Sequence, residues 1–303
     1  MMQINVHASV LNVLHRKNVT GKTKNAIIRF PYQGQYMIIG NKEFKNDRTY
    51  IMGILNITPD SFSDGGSYTD IDTALYHTEK MIAEGADIID IGGESTRPGY
   101  TEITAEEEIK RIVPVIEAIK KRFDISVSSD TYKPTVAKEA LFAGADMIND
   151  IWGLKYSPDM ADIIKTADAS VCIMHNRENA EYINLLDDVK NDLSESVAIA
   201  KKAGIADDKI ILDPGIGFAK TLEDNLKITK NLDTFSGLGF PLLYGASRKS
   251  MIGLTLNLPV TERLEGTLAT TAVACIKGVQ FIRVHDVKEN KRVIDMIEAI
   301  INA

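Results

Sequence analysis

Eight short apolar runs, each followed by a stretch with helical spacing, are the feature that most limits what this chain can fold into. They lie at residues 50–55, 87–91, 125–129, 146–151, 169–174, 209–212, 241–244 and 280–284. Runs that are apolar on both faces belong to strands covered on both sides, as in parallel sheets. The segments between them carry helix signals. Thr104 followed by Glu107 predicts a capping box, with Ile109, Ile112, Val113 and Ile116 repeating at helical spacing behind it. Thr69 with Asp72 predicts a second such start, and Pro134 suits the first turn of a third helix. Gly85 and Gly144 stand where helices need a left-handed residue before the next strand. Eight such units without a composition break predict an α/β fold, a closed (β/α)8 TIM barrel, and 303 residues accommodate it. A doubly wound open sheet is disfavoured because no G-x-G-x-x-G pattern follows any strand. The Gly21-Lys22-Thr23 triplet is not a P-loop, since Arg16 stands where the opening glycine belongs.

Residues 1–38 are read as an extension and 39–303 as the barrel. Six basic residues (Arg16, Lys17, Lys22, Lys24, Arg29 and Lys42) precede the first acidic one, Glu43, in a chain of net charge −7. A basic, acid-poor start is compatible with organellar targeting. Strand-like runs at 27–30 and 36–39 around Pro31 and Gly34 favour a β-structured lead-in, a hairpin, instead. The two cysteines, Cys172 and Cys275, sit far apart in apolar runs and read as buried thiols of a reducing, cytoplasmic compartment. The acidic body argues against nucleic acid as partner, and no apolar stretch reaches membrane-spanning length.

In a barrel of this kind the chemistry sits at the C-terminal strand ends. The ends here read Asn56, Asp90, Asp130, Asn149 with Asp150, Met174 with His175, Asp213, Gly245 with Lys249, and Arg283 with His285 and Asp286. Taken singly, Asp60, Asp150 and Asp286 suit helix caps, and a lone histidine such as His175 suits a satisfied structural role. Taken together, carboxylates gathered at one mouth are costly to desolvate unless donors meet them. Asp130, Asn149 and Asp213 form an acceptor wall suited to a heterocycle with adjacent N–H groups, because one carboxylate accepts two parallel N–H bonds. Arg97, Lys249, Arg283 and His285 are expected opposite them, where they suit a phosphate or pyrophosphate. Gly-rich stretches at 63–66 and 97–99 read as mobile loops over the mouth.

Two long motifs make the chain resemble the dihydropteroate synthases, the folate-pathway family targeted by sulfonamide drugs. One runs from Gly53 through Asn56, Thr58, Asp60 and Phe62 to Gly66; the other runs from Asp90 through Glu94, Thr96 and Arg97 to Gly99. Shorter matches surround Asp130–Lys133, Asn149, Asp213–Phe218, Ser247–Ser250 and Arg283–Asp286. The resemblance covers residue 39 to the C-terminus. It implies condensation of 6-hydroxymethyl-7,8-dihydropterin pyrophosphate with p-aminobenzoate, giving 7,8-dihydropteroate and pyrophosphate. It further implies that Asp130, Asn149, Asp213 and Lys249 hold the pterin, with Met174 and Phe218 as apolar walls and Gly245 lining the site. Asp90, Arg97, Arg283 and His285 match anion-binding and loop-anchoring positions, and with Lys249 form the implied catalytic set. Phe62, Thr96, Pro98 and Ser250 match the p-aminobenzoate side, Asn56 matches a Mg2+ position, and a homodimer is the family's usual state. Ala219 replaces a usual glycine and Ser129 a usual aliphatic. A methyltetrahydrofolate:corrinoid methyltransferase is the related alternative, but it has no use for the cationic set. A non-catalytic pterin-binding paralogue is the other, against which Phe62, Asp90, Thr96 and Arg97 are all present.

Overall fold

The interior of the barrel is decided by the two-residue period of its strands. In the computed structural model, which describes residues 36–57, 70–94 and 102–303, eight parallel strands follow one another around a cylinder. They are β3 (Tyr50–Asn56), β4 (Ile88–Gly92), β5 (Ser126–Asp130), β6 (Met147–Asp150), β7 (Ser170–Met174), β8 (Ile210–Asp213), β9 (Leu243–Tyr244) and β10 (Phe281–Val284). Their spatial order is β8-β7-β6-β5-β4-β3-β10-β9, and a parallel bridge from Leu212 to Leu242 closes the ring between β8 and β9. The expected strands are all present, with ends shifted by a residue or two. The helices are α1 (Asp70–Glu84), α2 (Ala105–Arg122), α3 (Pro134–Phe142), α4 (Asp159–Thr166), α5 (Leu185–Ala203), α6 (Leu222–Lys230), α7 (Ser250–Leu256), α8 (Leu264–Ile276) and α9 (Val287–Ile301).

Alternation sorts each strand into two sets. Ile51, Leu55, Ile89, Ile91, Val127, Ile148, Val171, Ile173, Leu212 and Ile282 face the helices in one large core. Met52, Ile88, Met147, Cys172, Ile211, Leu243 and Phe281 point inward and form a second, smaller core. Two residues further along six of these strands, on the same inward parity, come Asp90, Asn149, Met174, Asp213, Gly245 and Arg283, while in β3 the polar residue, Asn56, comes four residues after Met52. The interior is therefore apolar at its lower end and polar at its upper end.

A hairpin closes the lower end. Strands β1 (Tyr36–Ile39) and β2 (Lys42–Lys45) pair antiparallel across a two-residue turn, with Gly40 at φ +64°. A first turn residue with positive φ is the form that suits the strand twist. Met37, Ile39 and Phe44 enter the inward core, where the rings of Phe44, Tyr50 and Phe281 lie 5.0–5.8 Å apart. Ser126 Oγ donates to Ile39 O and Ser170 Oγ to Ile38 O, fastening the hairpin to the strand starts. The run at 27–30 and the basic N-terminus lie outside the described residues.

Local signals held with two changes. Thr104 caps α2 by accepting from Glu107 N at 3.2 Å, but the Glu107 carboxylate pairs with Arg111 instead of returning to the cap. The reciprocal box occurs on α6, between Thr221 and Asp224. Asp286 occupies the cap position of α9 without a capping bond; its carboxylate holds Arg248. Asp150 accepts from Trp152 N and Leu154 N, as a turn cap does. Gly85 and Gly144 adopt φ near +105°, and Pro134 opens α3. Thr69 and Asp60 lie outside the described residues.

Candidate active site

The upper inward layer brings the carboxylates and the cations together instead of facing them across the mouth. Arg283, at the end of β10, donates from Nε to Asp90 Oδ2 and from Nη2 to Asp130 Oδ2, both at 2.6 Å. Asn149 Nδ2 donates to the same Asp90 oxygen at 3.3 Å. The expectation that Arg283 stands opposite the acceptor wall is thus corrected: it is threaded between two carboxylates. The reason is electrostatic. Asp90 is fully buried and Asp130 nearly so, and two anions that close could not both stay ionised without a cation between them. Burial opposes the charge on Arg283, yet Asp90 and Asp130 more than offset it, and its pKa is raised. A guanidinium carries five N–H donors, so two committed to carboxylates leave it able to meet a ligand anion as well.

The acceptor wall keeps capacity for a ligand. Asp130 Oδ1 and Asp90 Oδ1 are buried and have no hydrogen-bond partner among the described residues. Burial pushes the Asp130 carboxyl up to about 7; Arg283 and Lys249 pull it down, while Asp90 and Glu108 push it up. Asp213 Oδ1 accepts from Gly215 N at 2.7 Å, and burial raises its carboxyl against the pull of Lys249, that N–H and Lys220. Gly245 lies between the two sides: a Cβ there would sit 3.7 Å from Arg283 Cβ and 3.9 Å from Asp213 Oδ2.

The segment after β8 supplies an apolar wall and its support. Gly215, at φ +72°, has its Cβ direction 1.9 Å from His175 O, so only glycine fits. Phe218, like Trp152, packs against the cluster of Met174, Tyr132 and Ile151, and the Lys249 ammonium lies 4.8 Å over the Phe218 ring. Lys249 Nζ also donates to Ile216 O at 2.6 Å. Burial lowers its pKa to about 8, with Asp213 working in the opposite direction. His285 Nδ1 lies 2.9 Å from Ser247 Oγ, whose oxygen also accepts from His285 N. Ser250 is the exposed first residue of α7. Phe62, Thr96, Arg97 and Pro98, with both Gly-rich loops, lie outside the described residues.

Three supporting groups were missed by the sequence reading. Lys133 Nζ donates to Glu94, Glu108 and Ile103 O, while Glu94 also accepts from Ile103 N. This buried cluster ties Glu94, just past β4, to the start of α2. Ser247 holds His285, and Lys220 holds His175 and Phe218 O. Lys133 and Ser247 lie within the motifs quoted above and Lys220 lies two residues past one of them, so nearness to a motif was the available signal. A sequence shows sign of charge but not which of several opposite charges will pair.

Asn56 ends β3 on the inward parity. The open side of Gly92 is flanked by Asn56 Oδ1 and Asp130 Oδ2, each 3.8 Å from where its Cβ would be. No group of three His, Cys, Asp or Glu side chains converges among the described residues. One neutral oxygen without a protein cage fits Mg2+, which keeps its waters and takes phosphate oxygens from a ligand.

Comparison with known proteins decides the family. The family described as pterin binding enzyme matches residues 52–285. A dihydropteroate synthase of Clostridium beijerinckii is 59% identical over 267 residues, covering 88% of this chain and 99% of that protein. The chain belongs to the dihydropteroate synthase family. The crystal structure of a dihydropteroate synthase from Clostridium difficile, in the presence of pteroic acid, superposes with a TM-score of 0.83. That protein is 47% identical, with 85% of this chain and 98% of that one covered. A Xanthomonas albilineans dihydropteroate synthase with 4-aminobenzoic acid gives 0.84 at 38% identity, covering 88% of this chain and 98% of that one. Family members are transferases, and the strand-end ring is where such a barrel works.

Proposed function

We propose that this chain condenses 6-hydroxymethyl-7,8-dihydropterin pyrophosphate with p-aminobenzoate. The observation that carries the reading is the pair of carboxylates Asp130 and Asp213 at the inward strand ends, one with a buried unpartnered oxygen, beside the Phe218–Met174 wall. Such acceptors are costly unless a ligand supplies donors, and the N–H edge of a pterin does so. Asn149 extends the wall, and Lys249 closes the space above Phe218.

In the reaction the amine lone pair of p-aminobenzoate forms a C–N bond to the pterin methylene as the C–O bond to pyrophosphate breaks. The electron pair leaves with pyrophosphate, and the attacking nitrogen then gives its extra proton to solvent. The largest demand is for positive charge where pyrophosphate departs. Arg283, Lys249, His285 and Arg97 are the groups assigned to it, and Asn56 is the residue that would hold Mg2+. Bound there, it would supply charge neutralisation. Asp90 acts through Arg283, while Phe62, Thr96, Pro98 and Ser250 are assigned to the p-aminobenzoate side and Gly245 to the space beside the pterin. The methyltransferase alternative has no pyrophosphate for these groups to bind.

Two further assignments accompany this. Both cysteines are buried and free, which supports a reducing cytoplasmic compartment, and no described helix is long and apolar enough to cross a membrane. The outward side of α8 supports a homodimer, as argued below. The activity test is pyrophosphate release from the pterin pyrophosphate, p-aminobenzoate and Mg2+. Release that requires both organic substrates is expected. Pterin binding without release would establish the non-catalytic alternative instead.

A further inference from the structure

Behind the acceptor wall lies a partly buried chain of charged and polar groups that the reaction above does not use. His175, directly after β7, is held at both ring nitrogens: Lys220 Nζ is 2.8 Å from Nδ1, and Asp192 Oδ2 of α5 is 2.9 Å from Nε2. Arg177 Nε donates to the same Asp192 oxygen at 2.6 Å. A protonated lysine can only donate, so Nδ1 accepts and the single ring proton sits on Nε2, aimed at Asp192. Burial and the charge of Lys220 hold the imidazole down to about 3, so His175 stays neutral as a fixed acceptor. Lys220 Nζ donates a second time, to Phe218 O at 2.9 Å.

This ammonium stands directly behind the peptide that grips Asp213. Gly215 N donates to Asp213 Oδ1, and the position of an added Gly215 Cβ is 3.3 Å from Lys220 Nζ. The charged groups acting on Lys220 are Asp213 from β8, Lys249 from the segment before α7, Asp224 from α6 and Arg177, with His175 and, through it, Asp192. Those acting on Asp213 are Lys249, Lys220 and Arg283. Lys249 and Arg283 face the ligand space and are shared with it, whereas Lys220 approaches Asp213 from the protein side.

We propose that Lys220 is a positioning residue of the pterin site: from behind the 213–220 segment it keeps the Asp213 carboxylate charged and fixes Phe218. The proposal rests on the pterin-site reading above. A neutral hydrogen-bonding residue would fasten Phe218 O equally well, so the charge is what the proposal asserts. Burial lowers the Lys220 pKa to about 7, so its charge is present on the acid side, where Asp213 is at risk of protonation. Loss of that charge moves the Asp213 titration upward, and affinity for the pterin then fails at a higher pH.

The test is calorimetric binding of 6-hydroxymethylpterin, which lacks the phosphates, to the full-length protein between pH 5 and 8.5. Wild type is compared with K220Q, which keeps N–H donors but not the charge, and with K220R. In K220Q the acid midpoint of binding is expected to rise by about one pH unit, with affinity near pH 8 within about twofold of wild type. K220R is expected to restore the wild-type midpoint. An equal loss of affinity at every pH in K220Q, or an unmoved midpoint, overturns the role of charge. If K220Q gives no cooperative melt, K220R decides: a raised midpoint despite its retained charge overturns the proposal, and a wild-type midpoint supports it. Wild type that binds no pterin at any pH sinks the site reading itself, an outcome distinct from both.

Discussion

Arg283 carries the clearest consequence of geometry over composition. Read as a pyrophosphate ligand alone, its loss would weaken phosphate binding and spare the pterin. Bonded at 2.6 Å to both Asp90 and Asp130, it also keeps two buried carboxylates in a state that can accept. In Arg283→Ala the pair is left without its cation, which for buried pairs costs about 3–5 kcal/mol, and Asp130 takes up a proton more readily. We therefore expect affinities for pyrophosphate and for a phosphate-free pterin both to fall more than tenfold, measured by titration calorimetry alongside a melting curve. An unchanged pterin affinity would contradict the coupling. The opposite kind of residue is Ala219, which sits at φ +45°, in the left-handed region that favours glycine. A left-handed alanine costs about 1–2 kcal/mol. Glycine forfeits about 0.4–1 kcal/mol through the unfolded chain. Ala219→Gly should thus gain roughly 0.5–1 kcal/mol, read as a higher urea midpoint at constant slope. The contact from Tyr182 to the carbonyl of residue 219 does not depend on the side chain. A lower midpoint would show that the strain is absorbed elsewhere.

At the scale of elements, strands and their order were legible because continuous apolar runs mark buried parallel strands, and the two-residue period then fixed which strand-end groups share the mouth. The inward set from Asp90 to Arg283 follows from that period alone. Less legible was what closes the barrel below. The run at 36–39 reads as a strand, but its partner Lys42–Lys45 is polar in sequence, with Phe44 its only apolar residue. Tertiary packing recruits it: Phe44 is buried against Tyr50 and Phe281, while Lys42 and Lys45 stay at the surface side. This predicts a separation of stability from catalysis. Phe44→Ala should cost about 3–5 kcal/mol, as deletion of a buried ring does, by chemical denaturation. Its KM for both substrates should remain within about twofold, because the site is at the opposite end of the strands. A large KM change with little loss of stability would mean that the hairpin acts on the mouth.

At the scale of the whole molecule, α8 is apolar on its outer side as well as its inner one. Its inward side carries Thr267, Thr271, Ala274 and Cys275, with Thr271 Oγ1 donating to Asn290 Oδ1 of α9 at 2.7 Å. Its outward side carries Ala269, Val273 and Ile276, and α7 adds Leu254 and Leu256 nearby in sequence, all exposed in the single chain. A surface helix of a monomer normally turns polar residues to that outer side. Apolar burial contributes about 25 cal/mol per Å², so an isologous contact that covers this face twice, once from each copy, gains with every side chain counted double. Val273→Glu with Ile276→Glu places two like charges per copy against their symmetry mates, while the Thr271–Asn290 bond on the inner side is untouched. Sedimentation velocity at micromolar concentration should show a dimer for the parent chain and a monomer for the double variant. Pterin affinity per chain should stay within about twofold, since the strand-end ring is completed within one barrel. A parent chain that remains monomeric, or a double variant that still dimerises, removes this face from the interface.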